Sequence, residues 1–461
     1  MTNDFITIFT SFSDTQKDSF RQYIYYFYAP KKVHLQLFEQ VVKARATDKK
    51  LFDLTESSRV NTSNDLYDLK NWAIEFLTVQ EIRNNGLDAQ FVTLEALRKQ
   101  NGLTKILEKK TKQLNDALNK QTEPDIWSSI LKLRLADADY FTTEIDPLKN
   151  HQAAMQFLLD ELDNFYTCNK LKYLAELQSR TNILQENYNP RLLNEIQDLA
   201  EKDASLNPLI KKLYLPLLAL TKDKSVVAYG QLKALLVQND LSNRREKLIA
   251  LMYLLNFAAV RQQQEPAIYY QECFDIMEIG LQESLFTSAG YFPAATFTNI
   301  VNTSIYLKKY VWAEAFIHKW LKNLNPKDEP ITSNYAFARL YFEKQEFKAA
   351  LNLLTVNDIK NYKNSHLSIH FRLLTARVNY ELGIWADAQN NHCDASERYI
   401  GRNVHREPLK QSLLNFFRIL RLLIDRPNNK KTKAQLLKAL DNKGEIPAFE
   451  AWLREKINAL E

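Results

Sequence analysis

The sequence predicts an all-α protein: antiparallel helix pairs stacked into a long array of about 20 helices, at roughly 20 residues per helix plus turn. Three observations carry that prediction. The 461 residues include only 8 glycines and 13 prolines; glycine is thus about 1.7% against about 7% in average usage. Hairpin turns, phosphate-cradling loops and strand–turn–helix crossovers lean on glycine, so this scarcity argues against a doubly wound sheet or a β-barrel. Apolar residues recur at three- and four-residue spacing almost throughout, and no strictly alternating run is bounded by Gly or Asn-Gly turns. With 45% hydrophobic residues the chain can bury a large core.

Near the N-terminus, Tyr23, Tyr25, Tyr26, Phe27 and Tyr28 surround one helix on every side. Core packing is the default reading, and a dimer or partner contact the alternative, because tyrosine joins an apolar body to a polar tip. Leu66, Leu69, Ala73, Phe76 and Leu77 form one buried stripe, with Asp68, Lys70, Glu75 and Glu81 on the opposite face. Leu103 to Leu118 repeats the pattern. Breaks are marked by Glu-Pro at 123–124, 265–266 and 407–408, Asp-Pro at 146–147, and Asn-Pro at 189–190 and 207–208. Leu213 to Leu236 and Leu248 to Ile279 read as helix pairs without clean signatures.

From 293 to 400 the chain repeats itself. Tyr310-Val-Trp-Ala313, Phe347-Lys-Ala-Ala350 and Trp385-Ala-Asp-Ala388 are aromatic-x-x-Ala units spaced by 37 and 38 residues. An amphipathic helix precedes each and another follows. A small Ala lets the second helix of a pair approach the first, while the aromatic plugs the hinge end. The organisation expected is an N-terminal helical region over 1–150, divergent helix-pair repeats over 151–292, the clear repeats over 293–400, and basic helices over 401–461 that cap the array.

Ala338, Tyr341, Phe347 and Ala350, then Ala376, Tyr380, Gly383, Trp385 and Ala388, resemble tetratricopeptide repeats. The first unit departs from that pattern, with Val301 at the usual small position, and the unit is longer than the standard 34 residues. The chain also resembles a family of long bacterial helical-repeat proteins. This likeness rests on Asp14-Thr-Gln-Lys-Asp-Ser-Phe20, Tyr25-Tyr-Phe-Tyr-Ala-Pro-Lys31, Lys170-Leu-Lys-Tyr-Leu-Ala-Glu-Leu177, Phe297-Thr-Asn-Ile-Val301 and Trp312-Ala-Glu-Ala-Phe316. These resemblances imply an α-α superhelix, a TPR-like solenoid with scaffold character, and no chemistry.

Charge is unevenly spread. Between Arg398 and Lys438 eleven bases face two acids, a net of +9, which leaves −3 on the remainder of a chain whose total is +6. An anionic partner such as nucleic acid is one reading. A solvated helix face is the plainer one, since Tyr399, Phe416 and Phe417 fit core positions rather than a stacking platform. The opening residues lack a basic n-region, and the longest apolar run, Leu248 to Val260, is too short for a span of about 20 residues. Cys168, Cys273 and Cys393 lie more than 100 residues apart, as expected of reduced thiols in a cytoplasm.

No phosphate-loop, dinucleotide or nucleophile-elbow motif occurs, and neither enzyme activity, a cofactor nor a metal is expected. His366 and His370 sit at i, i+4 without an evident third ligand. His392, Cys393 and Asp394 are adjacent, so on a helix they point about 100° apart. The expected function is therefore a protein-interaction scaffold that holds a peptide or helix, with an acidic or C-terminal segment as the expected partner, on a concave wall of leading helices. The alternative is a nucleic-acid-binding or regulatory solenoid that uses residues 398–438. In tetratricopeptide register one inward position is occupied by Asn302, Arg339 and Arg377, with Tyr335, Phe342, His370 and Tyr380 as neighbours. The resemblance implies that such a column grips a partner's carboxylate; Arg suits this through its planar fork. Each Arg can equally pair with an acid on the next repeat.

Overall fold

A computed structural model of the chain describes residues 4–28, 30–43, 61–84, 86–120, 126–142, 152–184, 188–203, 206–262, 264–287, 290–355, 365–384, 387–405, 407–425, 432–441 and 447–460. Among these the protein is all-α, and the one extended pairing is a single parallel bridge between Phe292 and Leu324. The chain divides into two compact units, Met1–Phe165 and Tyr166–Glu461.

The first unit contains α1 (Asp4–Thr10), α2 (Asp14–Tyr28), α3 (Lys32–Lys43), α4 (Asn61–Asn84), α5 (Gly86–Arg98), α6 (Thr104–Asn119) and α7 (Ile126–Thr142). Its core at the N-terminal end is phenylalanine-rich: Phe5, Phe9, Phe12, Phe20, Phe38 and Phe76 pack with Leu69 and Ala73 of the α4 stripe. The unit boundary falls within α8 (Gln152–Leu184).

The second unit continues with α9 (Leu193–Lys202), α10 (Leu215–Lys222, entered through a π-helical turn at Ile210–Tyr214), α11 (Val226–Val237), α12 (Arg244–Arg261) and α13 (Pro266–Gln282). It then runs through α14 (Ala294–Tyr306), α15 (Tyr310–Trp320), α16 (Glu329–Glu343), α17 (Phe347–Thr355), α18 (Ser365–Glu381), α19 (Asp387–Asn403), α20 (Glu407–Ile424), α21 (Lys433–Leu440) and α22 (Glu450–Asn458). From α10 onward every helix packs on the next in sequence, and the leading helices of successive pairs also meet, α10 on α12, α14 on α16 and α16 on α18. Ala313 and Ala350, the small residues of the first two aromatic-x-x-Ala units, have no exposed surface. Trp385 and the side chain of Ala388 lie outside the described residues.

How a glycine-poor chain turns so often is visible at the helix ends. Lys224, Asn239, Ser284, Lys308 and Gln345 all adopt left-handed backbone, with φ between 51° and 62°. Each stands two residues beyond a helix end, where the next N–H bonds back into the last turn. Examples are Lys309 N to Ser304 O and Glu346 N to Tyr341 O, both at 2.9 Å. This is the Schellman closure usually made with glycine; among the described residues only the turn after α18 uses one, Gly383 at φ 69°. Starts are conventional: Ser225 and Asn243 accept from the first-turn N–H groups of α11 and α12, and Thr432 with Gln435 forms a capping box on α21.

Candidate functional site

The seven residues expected to line a partner-binding wall fall on three leading helices, α14, α16 and α18. These helices meet pairwise, and α14 also touches α18 directly. Tyr335 of α16 fills the space between them. Its hydroxyl donates to Asn302 Oδ1 of α14 at 3.2 Å, and its ring lies 5.9 Å from His370 of α18. Tyr335 is consequently buried at 3% exposure, while Asn302 and His370 are half-buried.

The two arginines converge on one carboxylate. Arg339 forms an ion pair with Glu343 one turn along α16, and Arg377 Nη2 of α18 stands 3.9 Å from the same oxygen. Arg377 is 4% exposed and its Nε has no partner. Instead, the guanidinium is held between the Phe342 ring at 4.2 Å and the Phe449 ring at 4.4 Å, with Trp452 at 5.4 Å. Aromatic faces offset part of the cost of burying a cation. Burial first, and then repulsion from Arg339, pushes its pKa down to about 9.

Phe449 and Trp452 belong to the chain's own C-terminal segment, which therefore covers the end of this face. Trp452 stacks edge-on to Tyr380 at 5.4 Å and its Nε1 donates to Glu381 at 2.8 Å; Lys456 pairs with Glu381 at the same distance. Phe449 opens α22 from left-handed backbone at φ 55°, a conformation rarely adopted by a bulky residue. Of the seven residues, then, Tyr335, Phe342 and Arg377 lie in the interior, and Asn302, Arg339, His370 and Tyr380 keep partial access.

The other clusters singled out in the sequence resolve separately. Tyr25, Tyr26 and Phe27 are 66–79% exposed, whereas Tyr28 stacks on Trp72 at 4.6 Å and shares Glu75 with Tyr23. In the basic segment Arg421 bridges Asp394 and Glu397, Lys410 pairs with Glu407, and Lys433 donates to Asn458 O, while Arg398 and Arg402 are exposed. Arg406, Arg426, Lys430 and Lys431 lie outside the described residues. His392, Cys393 and Asp394 diverge: His392 Nε2 meets Arg372 O at 2.9 Å, Cys393 is fully buried, and Asp394 faces Arg421. All three cysteines are buried free thiols whose pKa burial pushes up to about 12, so they are poor nucleophiles. The side chain of His366 lies outside the described residues.

Two features carried no sequence signal. His34 of α3 meets Asp65 and Asp68 of α4, with Nε2 at 3.0 Å and 3.6 Å from their oxygens. The ring's Nδ1 accepts the Lys31 N–H at 3.2 Å, so a neutral ring carries its proton on Nε2, which stands beside Asp65 without a hydrogen bond to it. A metal at Nε2 would need the opposite tautomer, so the cluster reads as an internal pair. The second feature is a half-open cavity of about 170 Å³ among α8, α10 and α12.

No family model, curated protein or solved structure matches this chain. Its helices pack on one another in sequence. Among the described residues, no helix is long and apolar enough to cross a membrane.

Proposed function

We propose that the chain is a non-catalytic protein-interaction scaffold: a TPR-like solenoid whose leading helices hold a peptide or helical segment of a partner. One observation supports this most. Asn302, Tyr335, Arg339, Glu343 and Arg377 lie along three successive leading helices, with Tyr335 bonded to Asn302 and two guanidiniums sharing the Glu343 carboxylate. Such a group carries excess positive charge and favours a partner that brings a carboxylate.

The C-terminal helix supports the reading by example. A helix that presents Trp452 and Lys456 one turn apart already packs on this face, through ring contacts to Arg377 and Tyr380 and an ion pair to Glu381. Of the two guanidiniums, Arg339 is the more exposed, at 13% of its side chain against 5% for Arg377. The test is capture of partners from a nuclease-treated lysate by the wild-type chain and by Arg339→Glu. The reading expects a set of proteins lost on charge reversal. Capture that vanishes with nuclease, or that ignores the reversal, would overturn it.

A further inference from the structure

The cavity among α8, α10 and α12 lies away from α14, α16 and α18, and its chemistry differs. Its walls are Leu220 at the floor, Tyr253 and Phe257 along α12, and Val260 at the mouth. Leu220 and Phe257 are buried, whereas Val260 is 56% exposed. The polar atoms nearest the floor are already engaged: Asn182 Nδ2 donates to Thr221 O and the Tyr253 hydroxyl donates to Glu176 Oε2, both at 2.8 Å. The Asn256 amide, which also lines the cavity, makes no hydrogen bond among the described residues.

Two cations stand at the rim. Arg261 lies over the Phe257 ring at 4.9 Å and donates to the backbone oxygen of Lys224 at 3.5 Å, which ties the two residues together. The nearest acid to Arg261 is Glu265 at 3.9 Å, and the Lys224 ammonium has no ion pair among the described residues. Glu176, below them, is taken by Arg180 and Tyr253. The rim therefore has one positive charge in excess over an apolar chamber.

We propose that this cavity binds a small apolar carboxylate, an aryl or branched-alkyl acid. Its hydrocarbon end enters between Leu220, Phe257 and Val260, and its carboxylate meets Lys224 and Arg261 at the rim, with the Asn256 amide as a further donor. Size and charge select this class together. An apolar chamber of about 150 Å³ is known to accept a benzene ring, and drug-sized ligands need about 300 Å³ or more. A neutral hydrocarbon would leave the rim cations and the Asn256 amide unanswered, and an amine would add to the positive charge.

The probe is 3-phenylpropanoate, compared with its amide and with 3-phenylpropylamine, in ligand-observed NMR titrations against the full chain. The acid is expected to bind at millimolar affinity or better, the amide at least 5-fold more weakly, and the amine not at all. Lys224→Glu should weaken the acid 10-fold or more while narrowing its margin over the amide. Val260→Trp, at an exposed position, should close the mouth and abolish the signal with the circular dichroism spectrum unchanged. Equal binding of acid, amide and amine, no binding of the acid at 10 mM, or unaltered binding in Val260→Trp would each overturn the proposal.

Discussion

The leading helices of the second unit are filled in two ways. Among α14, α16 and α18, the Tyr335 ring occupies the middle and meets partners on both sides, so no space is left between these helices. Among α8, α10 and α12 the outer helices are joined by one polar bridge, Tyr253 to Glu176, and a cavity of about 170 Å³ remains above Leu220. The aromatic-x-x-Ala signature marks close helix approach. Close approach leaves no chamber between these helices, and on the scaffold reading a partner meets their outer surface, where Asn302 and Arg339 keep partial exposure. The helices α8, α10 and α12, unremarkable as sequence, are where the fold leaves room.

The largest expected effect in breaking this comparison comes from the tightly packed helices. Trp452→Ala should destabilise the protein by about 3–5 kcal/mol, because the ring packs on Arg377, Tyr380 and Phe416 and its N–H satisfies Glu381. Tyr335→Ala belongs in the same range, at about 3 kcal/mol. Urea melts of both variants measure the loss; an unchanged midpoint would show that these rings do not hold the helices together. At the cavity, Val260→Trp should shift stability by no more than about 0.5 kcal/mol, since the residue is on the surface.

Packing between helices gives the next effects. Ala350→Trp should cost about 1–3 kcal/mol or more by overpacking a position with no exposed surface. Gly280→Ala should cost about 1–3 kcal/mol, because a Cβ there would stand 2.5 Å from the Phe286 ring and 2.8 Å from Leu251 Cδ1. Thermal melts check both.

Much of the fold was legible because helices declare themselves locally. The stripe Leu69, Ala73 and Phe76, the Pro-marked starts of α13 and α20, and the small Ala313 and Ala350 follow from spacing alone. The turns were legible only in number. Lys308 and Gln345 take a backbone that glycine takes elsewhere, and nothing in a Lys or Gln announces it. Asn302, Arg339 and Arg377 were placed on one file by repeat register, but their neighbours came from afar: Trp452 reaches Glu381 across 71 residues. The cavity had no motif because it is made by side chains that stop short.

The turns supply a smaller prediction of the opposite sign. Left-handed backbone costs a non-glycine residue about 1–2 kcal/mol, and glycine returns about 0.5–1 kcal/mol of that as lost chain entropy. Lys308→Gly and Gln345→Gly should each therefore stabilise by about 0.5–1 kcal/mol, read as a raised urea midpoint. Asn239, which tolerates this conformation better, should gain less.

The smallest effect is a pH dependence. Burial lowers the pKa of His392 below its ordinary 6.5, with the Arg372 charge adding to the shift and the bond to Arg372 O opposing it. Below the unfolded value the unfolded chain binds the proton first, so stability falls as pH drops and is fully present above it. His392→Gln should flatten the stability profile on the acid side of 6.5 and leave it unaltered at pH 8.

The most direct test of the scaffold reading is quantitative capture from a nuclease-treated lysate, comparing the wild-type chain with Arg339→Glu and, as a folded control, Val260→Trp. The account predicts proteins retained by the wild type and by Val260→Trp but lost from Arg339→Glu. The same proteins on all three chains would contradict it.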